Sequence, residues 1–306
     1  MSVPALDASS VIEPIRHLSE ADGALAVITR IDGPSYRPLG AMMAVMADGR
    51  RIGTLSSGCV EADIALHAEK AMQAGKPLSV VYGKGSPFAD ITLPCGGGLE
   101  ILLVPSPDKA VLAEVLAHHS ARQTCALEVD GRSGALCVVP TGMTRWTGDV
   151  FSVSIKPELA FYVFGKGPET CTFAGLAKSA GYPTMVLSPD EETLEIARAA
   201  GCATRHMNSP NMPGDLRPDA HSAVVLFFHD HEWEPPIIAG ALASEAFYIG
   251  AQGSLRASEA RKNELTLLGV DAEALKRVRG PIGLIPSVRD ARKLAVSVLA
   301  EVLNEG

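Results

Sequence analysis

The sequence contains no Cys-x-x-Cys pair, and its six cysteines, at positions 59, 95, 125, 137, 171 and 202, are spread thinly over 306 residues. Neither a disulfide framework nor a zinc ribbon is indicated by that pattern, and a reducing cytoplasm suits it best. No apolar run reaches the roughly 18 residues of a membrane helix, so no membrane partner is expected. The opening residues MSVPALDASSVIEPI lack both the basic start and the apolar core of a signal peptide. Dense basic runs are also missing, and a net charge of −8 argues against nucleic acid as a partner. Residues 251–306 are the exception, being the one segment with a positive balance. Only 5% of residues are aromatic, but 47% are hydrophobic and 20% charged, which excludes disordered, collagen-like and coiled-coil chains.

What is present is length enough for two domains with separate cores. The first half reads as α+β. A helix is predicted over residues 9–19, with Ser9 or Ser10 as N-cap and Val11, Ile12, Ile15 and Leu18 at helical spacing. Short strands follow at 24–29, 41–46 and 51–55, with an Asp48-Gly49 hairpin turn. A helix over 60–74, stopped by Gly75 and Pro77, leads to strands at 78–82 and 99–104. Residues 106–157 give one more helix and three short strands, around Cys125, Leu136 and Phe151.

From Leu159 the pattern alternates between β and α: strands at 160–164, 184–187, 223–228 and 247–250, with helices between them and a long last helix over 288–303. Such alternation predicts a parallel sheet with crossover helices. The fold class is therefore α/β, with an α+β domain over 1–157 and a Rossmann-like parallel-sheet domain over 158–306.

Two loops of the first half exceed what structure alone requires. Ser56-Ser57-Gly58-Cys59-Val60-Glu61 is a turn of small residues feeding a helix, expected to point its N–H groups outward with a thiol beside them. In Pro94-Cys95-Gly96-Gly97-Gly98, three glycines follow a cysteine directly before a strand. Ordering three glycines costs backbone entropy, so the run implies either unusual backbone angles or close approach of a ligand to the main chain. Free N–H groups beside a thiol can hold an oxyanion and favour the thiolate. Cys95 is thus the leading candidate side chain, the alternative being an inert thiol at a tight turn. For Cys59, packing outweighs function. Arg37, in the rigid loop Asp32-Gly33-Pro34-Ser35-Tyr36-Arg37-Pro38-Leu39-Gly40, could pair with a phosphate or could simply be solvated.

In the second half, Phe164-Gly165-Lys166-Gly167-Pro168-Glu169-Thr170 is a strand entering a Gly-x-Gly turn and a helix, a form that presents N–H groups to a phosphate. Thr170 stands where a third glycine usually packs, and Pro168 removes an N–H. The next strand ends at Leu187 and Ser188 instead of the acid that grips a ribose. A degenerate nucleotide site at Gly165 and Gly167 and a merely structural turn both remain open. His229-Asp230-His231-Glu232 follows a strand end and reads as a polar loop, since two histidines make an incomplete zinc site.

Taken together, these segments resemble the XdhC/CoxI family, accessory proteins of molybdenum hydroxylases such as xanthine dehydrogenase. The resemblance rests on Gly33–Met43, Gly53–Glu61 and Pro94–Glu100, and in the second half on Phe247–Ser254 and Arg279–Leu284. It implies an N-terminal XdhC/CoxI domain, a C-terminal Rossmann-like domain, and a chaperone that binds and protects molybdenum cofactor in its molybdopterin form. Such a protein assists sulfuration through a cysteine desulfurase and inserts the cofactor into a xanthine dehydrogenase-type molybdoenzyme. A homodimer is compatible with it. Carried over by position, Cys95, as cofactor contact and metal ligand, and Gly96, Gly97 and Gly98 lead the cofactor-binding candidates. Cys59 and Arg37 stand behind them, with Gly165 and Gly167 in the second domain. No catalytic residue is assigned, and a non-catalytic accessory role is favoured over an enzyme. The alternative is an NAD(P)-dependent oxidoreductase using the glycine turn. Gly165-Lys166-Gly167-Pro168 departs from the family's Gly-Ala-Gly-His, as do Ser188 and Ile285-Pro286-Ser287-Val288, and these departures weigh against that alternative.

Overall fold

In the computed structural model, residues 10–84, 96–229 and 231–306 are described, and the chain divides between Pro157 and Glu158 into two units. The first begins with α1 (Ile12–Glu20), whose Ile12, Ile15 and Leu18 are buried at helical spacing. Val11 takes the N-cap position, but Ser10 Oγ accepts from the Ile12 N–H at 3.1 Å, so Ser10 still serves the helix start. Ser9 lies outside the described residues.

Five strands, β1 (Gly23–Asp32), β2 (Met42–Met46), β3 (Arg51–Gly53), β4 (Leu78–Gly83) and β5 (Gly98–Pro105), form an antiparallel sheet in the order β3-β2-β1-β5-β4. Side chains alternate across a strand, and here both faces are covered. Ala24, Ala26 and Ile28 pack in the same core as residues of α2 (Glu61–Ala74), while Leu25 and Val27 pack in the core that includes α1. This double covering explains why residues 24–28 are an unbroken apolar run instead of an alternating one. Gly75 closes α2 in the left-handed conformation, φ 63°, as its position after the last apolar turn predicts.

Beyond α1 lie α3 (Lys109–Ser120), whose cap Asp108 accepts from the Ala110 N–H, and a second antiparallel sheet. Its strands are β6 (Cys125–Asp130), β7 (Leu136–Val139), β8 (Arg145–Thr147) and β9 (Val150–Ile155), in the order β7-β6-β9-β8. Sequence reading predicts three strands here. β8 escapes it because it is three residues long and exposed throughout, leaving no apolar alternation to read.

The second unit runs β10 (Ala160–Gly165), α4 (Pro168–Ser179), β11 (Thr184–Ser188), α5 (Glu191–Ala199), β12 (Ala203–His206), β13 (Ser222–Phe227), α6 (Glu234–Leu242), β14 (Tyr248–Ala251), α7 (Leu255–Leu267), α8 (Ala272–Leu275), β15 (Val278–Arg279) and α9 (Ala291–Glu305). All pairings are parallel and the order is β12-β11-β10-β13-β14-β15. That is the doubly wound order of Rossmann sheets, with its switch of direction between β10 and β13. Phe173 of α4 and Val298 of α9 pack on one face with Val163 and Val225, while Ile237 and Ile238 of α6 pack on the other with Val224 and Leu226. α9 starts three residues later than its apolar pattern suggests because Asp290 caps it, accepting from the Lys293 N–H at 2.9 Å.

Candidate functional site

Strand direction gathers the loops of the first unit. Asp32 at the end of β1 is paired with Gly98 at the start of β5, and Gly83 at the end of β4 with the same Gly98. Met43 near the start of β2 is paired with Gly53 at the end of β3. The β1–β2 loop carrying Arg37, the β3–α2 loop carrying Cys59, and the segment entering β5 with Gly96, Gly97 and Gly98 therefore leave the sheet from one edge. Cys95 lies outside the described residues, and with it the site assigned to a metal.

The β3–α2 loop is organised by a carboxylate. Glu61, at 7% exposure, accepts from Thr54 Oγ1 (2.5 Å), Ser56 Oγ (2.5 Å) and the N–H groups of Ser56 (2.7 Å), Leu55 (3.0 Å) and Val60 (3.2 Å). Burial alone would raise its pKa, but the hydrogen bonds from Ser56 and Thr54 outweigh it and hold the group at about 2. The N–H groups expected to point outward thus turn inward at Leu55, Ser56 and Val60, because a buried anion on the first residue of α2 draws them. Ser57 N–H goes to Thr54 Oγ1. Ser57, Gly58 and Cys59 are exposed, so the thiol of Cys59 stands free at the start of α2.

Gly97 and Gly98 are fixed by the chain itself. A Cβ on Gly97 would lie 2.1 Å from the Pro34 carbonyl oxygen, and one on Gly98 would lie 2.6 Å from that of Lys84. Of the two reasons expected for the run, close main-chain approach holds at both positions, but the approaching group is backbone of the Arg37 loop and of β4's end. Gly96 satisfies the other reason, with φ 71° and no described residue within 4 Å of where a Cβ would lie. Arg37 is half-buried rather than simply solvated, and burial lowers the pKa of its guanidinium. Ser35 holds its loop, donating to the Arg37 carbonyl at 2.7 Å and accepting from the Arg37 N–H at 3.2 Å.

In the second unit the glycine turn is closed on itself. Gly167, at φ 85°, donates its N–H to Thr193 Oγ1 at 2.9 Å, and Thr193 Oγ1 donates in turn to Asp190 at 2.5 Å. Thr193 belongs to the first turn of α5, so the space where a diphosphate would meet this N–H is filled by a hydroxyl. Pro168 supplies no N–H. Thr170, at the third fingerprint position, is fully buried and close to Gly165, where a Cβ would lie 2.4 Å from Thr170 Oγ1. Helix and strand therefore pack tightly despite the missing glycine. Asp190 caps α5 and Ser188 Oγ accepts from the Asp190 N–H, so the acid near the ribose position serves local structure.

A cleft of about 980 Å³ opens instead beside the carboxyl ends of β13, β14 and β15. Phe228, Ile282 and Leu294 contribute apolar wall, and Gln252, Arg256 and Arg289 contribute polar groups. His229 lies on its margin, 3.3 Å from Glu169 of α4, and bridges the β10–β13 switch. Asp230 and the side chain of His231 are outside the described residues, and among the described residues no group of three or more His, Cys, Asp or Glu could hold a metal. Under the cleft, Arg261, 3% exposed, donates to the fully buried Glu234 at 2.9 Å and to the Gln252 carbonyl at 2.8 Å. Residue-by-residue reading misses this cleft, although Phe247–Ser254 and Arg279–Leu284 stand out as family segments. Its side chains come from loops far apart in sequence, and no local motif announces them.

An antiparallel α/β unit bearing a three-loop edge, followed by a doubly wound unit whose dinucleotide turn is closed, defines a two-part protein built on a Rossmann frame without the usual nucleotide grip. The second part matches the XdhC Rossmann domain model over residues 161–302, and the first matches the XdhC and CoxI family model over residues 18–83. Along 94% of its length the chain is 35% identical to the molybdenum cofactor insertion chaperone PaoD of Escherichia coli (strain K12), covering 84% of that protein. It is 23% identical to a Bacillus subtilis (strain 168) protein described as a probable xanthine dehydrogenase subunit, over 93% of each. The chain belongs to the XdhC and CoxI family. A crystal structure of a Bacillus halodurans protein described as a xanthine dehydrogenase has the same fold, with TM-score 0.79 at 21% identity over 96% of this chain and 95% of that one. Among the described residues no helix is long and apolar enough to cross a membrane.

Proposed function

We propose that this protein is a molybdenum cofactor chaperone that inserts its cargo into a xanthine dehydrogenase-type molybdoenzyme. The observation that carries the reading is the 35% identity, sustained over 94% of the chain, to a molybdenum cofactor insertion chaperone. The loop-bearing edge of the first unit suits such a cargo. Cys95 would offer a soft sulfur to molybdenum, with the exposed Cys59 thiol as its companion. Gly96, which has no described residue near its Cβ position, and the half-buried Arg37 offer donors to anionic groups. Sulfuration by a docked cysteine desulfurase, a homodimeric state and a cytoplasmic location complete the reading.

The test is pterin analysis of anaerobically purified wild-type and Cys95→Ala protein, followed by transfer to an apoenzyme. Wild-type protein should carry pterin, and the variant should lose either loading or transfer. Wild-type protein free of pterin when taken from cofactor-replete cells would sink the chaperone reading, whereas full loading and transfer by Cys95→Ala would remove only that thiol. The oxidoreductase alternative loses its main support where Thr193 occupies the Gly167 N–H. Nicotinamide titration at millimolar concentration should give no binding at that turn.

A further inference from the structure

Arginines in the second unit are almost all engaged. Arg198, Arg205, Arg261, Arg279 and Arg292 each lie within 3.6 Å of a carboxylate, and Arg217 and Arg277 donate to backbone carbonyls. Arg256 and Arg289 have no hydrogen bond or ion pair among the described residues, and both line the cleft of about 980 Å³. They come from different loops, one from the first turn of α7 and the other from the loop before α9. Two cations that form no ion pair among the described residues, on the walls of one large cleft, are an arrangement that an anion completes.

Three further features give the anion a character. Ser254 caps α7 through the Ala257 N–H, and no acid occupies the first turn of that helix, so its dipole and remaining N–H groups also favour negative charge beside Arg256. Of the acids on the cleft wall among the described residues, Asp290 accepts from the Lys293 N–H and Arg292, and Glu169 lies 3.3 Å from His229. Apolar wall from Ile285, Val288 and Leu294 could cover one face of a ring system, and the volume exceeds what a bare phosphate needs.

We propose that this cleft binds an organic phosphate, its phosphate held by Arg256, Arg289 and the α7 N-terminus and its ring set against the wall of Ile285, Val288 and Leu294. The site is displaced from the closed glycine turn to the far side of the sheet's switch point, and it stands whether or not the first unit carries a molybdenum pterin. Arg261 and Glu234 position it by fixing the Gln252 carbonyl beneath the cleft.

Two sources share this chemistry, the phosphate end of the cargo and a free nucleotide, and the experiment separates them. Trp233 stacks on Phe228 with ring centroids 5.8 Å apart, so its fluorescence in a Trp146→Phe background reports on the cleft wall. Pterin-free full-length protein is titrated with cytidine monophosphate and with inorganic pyrophosphate. Saturable binding is expected, weakened about tenfold by Arg256→Gln or Arg289→Gln and left unchanged by Arg205→Gln, whose side chain pairs with Asp215 away from the cleft. Parallel anaerobic pterin analysis of Arg256→Gln then assigns the source: reduced pterin content identifies cargo phosphate, and unchanged content identifies a separate nucleotide. Absence of binding by both probes at millimolar concentration, or equal binding by wild type and the Arg256→Gln/Arg289→Gln double variant, would overturn the proposal.

Discussion

Replacing Glu61 by Gln probes the edge on which the candidate cargo loops stand. The carboxylate receives five hydrogen bonds, three on Oε1 and two on Oε2, all from residues 54–60. Burial pushes its pKa upward, but the hydrogen bonds from Ser56 and Thr54 win, and the group titrates at about 2 instead of 4.5. Because the folded-state value is depressed, the stabilisation is fully present above the unfolded value of 4.5 and is lost as pH falls toward about 2. A difference near two and a half pKa values corresponds to about 3 kcal/mol at neutral pH, and linkage leaves roughly 1.5 kcal/mol of it at pH 3. Glu61→Gln keeps the shape but replaces one acceptor by an amide that faces donors, so it should forfeit about this amount.

Each unit holds one tryptophan, Trp146 in the first and Trp233 in the second, which lets the transitions be followed separately. In a Trp233→Phe background, urea unfolding monitored by Trp146 should show the variant about 3 kcal/mol less stable than its parent at pH 7 and about 1.5 kcal/mol less stable at pH 3. A gap of the same size at both pH values, or one below about 1 kcal/mol at pH 7, would refute the claim that an ionised Glu61 organises the loop.

Arg261→Met should cost about 3–5 kcal/mol in the transition reported by Trp233, because it leaves the fully buried Glu234 without its cation; a loss below about 1 kcal/mol would mean that packing alone holds that layer. Gly97→Ala should cost about 1–3 kcal/mol through the clash with the Pro34 carbonyl. Gly96→Ala, with no described residue near its Cβ, should cost only about 1 kcal/mol, from its positive φ. Thermal unfolding followed at Trp146 checks the ranking, and a reversed order would show that the Arg37 loop is not seated on Gly97.

Legibility of the fold depends on how each element meets its neighbours. The parallel alternation from β10 to β14 is readable because strands covered on both faces are short continuous apolar runs between amphipathic helices. β12 and β15 are not, being four and two residues long and partly exposed at the sheet's flanks. In the site, the glycine run points correctly to Gly97 as a place of close approach, but no sequence pattern says whether a ligand or Pro34 approaches. The inward turn of the 55–60 amides is likewise hidden, since it depends on Glu61 folding back over its own loop and not on a spacing rule. The arginines of the cleft carry no motif. Their meaning lies in their forming no ion pair among the described residues, which only the folded chain reveals.

The closed glycine turn and the open cleft bear on each other through the geometry of the sheet. In a doubly wound sheet, ligands approach the carboxyl ends of the strands near the switch of direction, here between β10 and β13. On the β10–β11 side, Thr193 fills the Gly167 N–H, Pro168 offers none, and Asp190 is turned into α5. On the β13–β15 side there are a capped helix start with no acid in its first turn, two arginines that form no ion pair among the described residues, and a cleft of about 980 Å³. A ligand that used both halves, as a dinucleotide does, would have to displace Thr193 Oγ1 from the Gly167 N–H. A ligand confined to the second half displaces nothing. A dinucleotide would therefore meet an occupied N–H in one half of its usual site, whereas the proposed phosphate-bearing ligand uses only the other half.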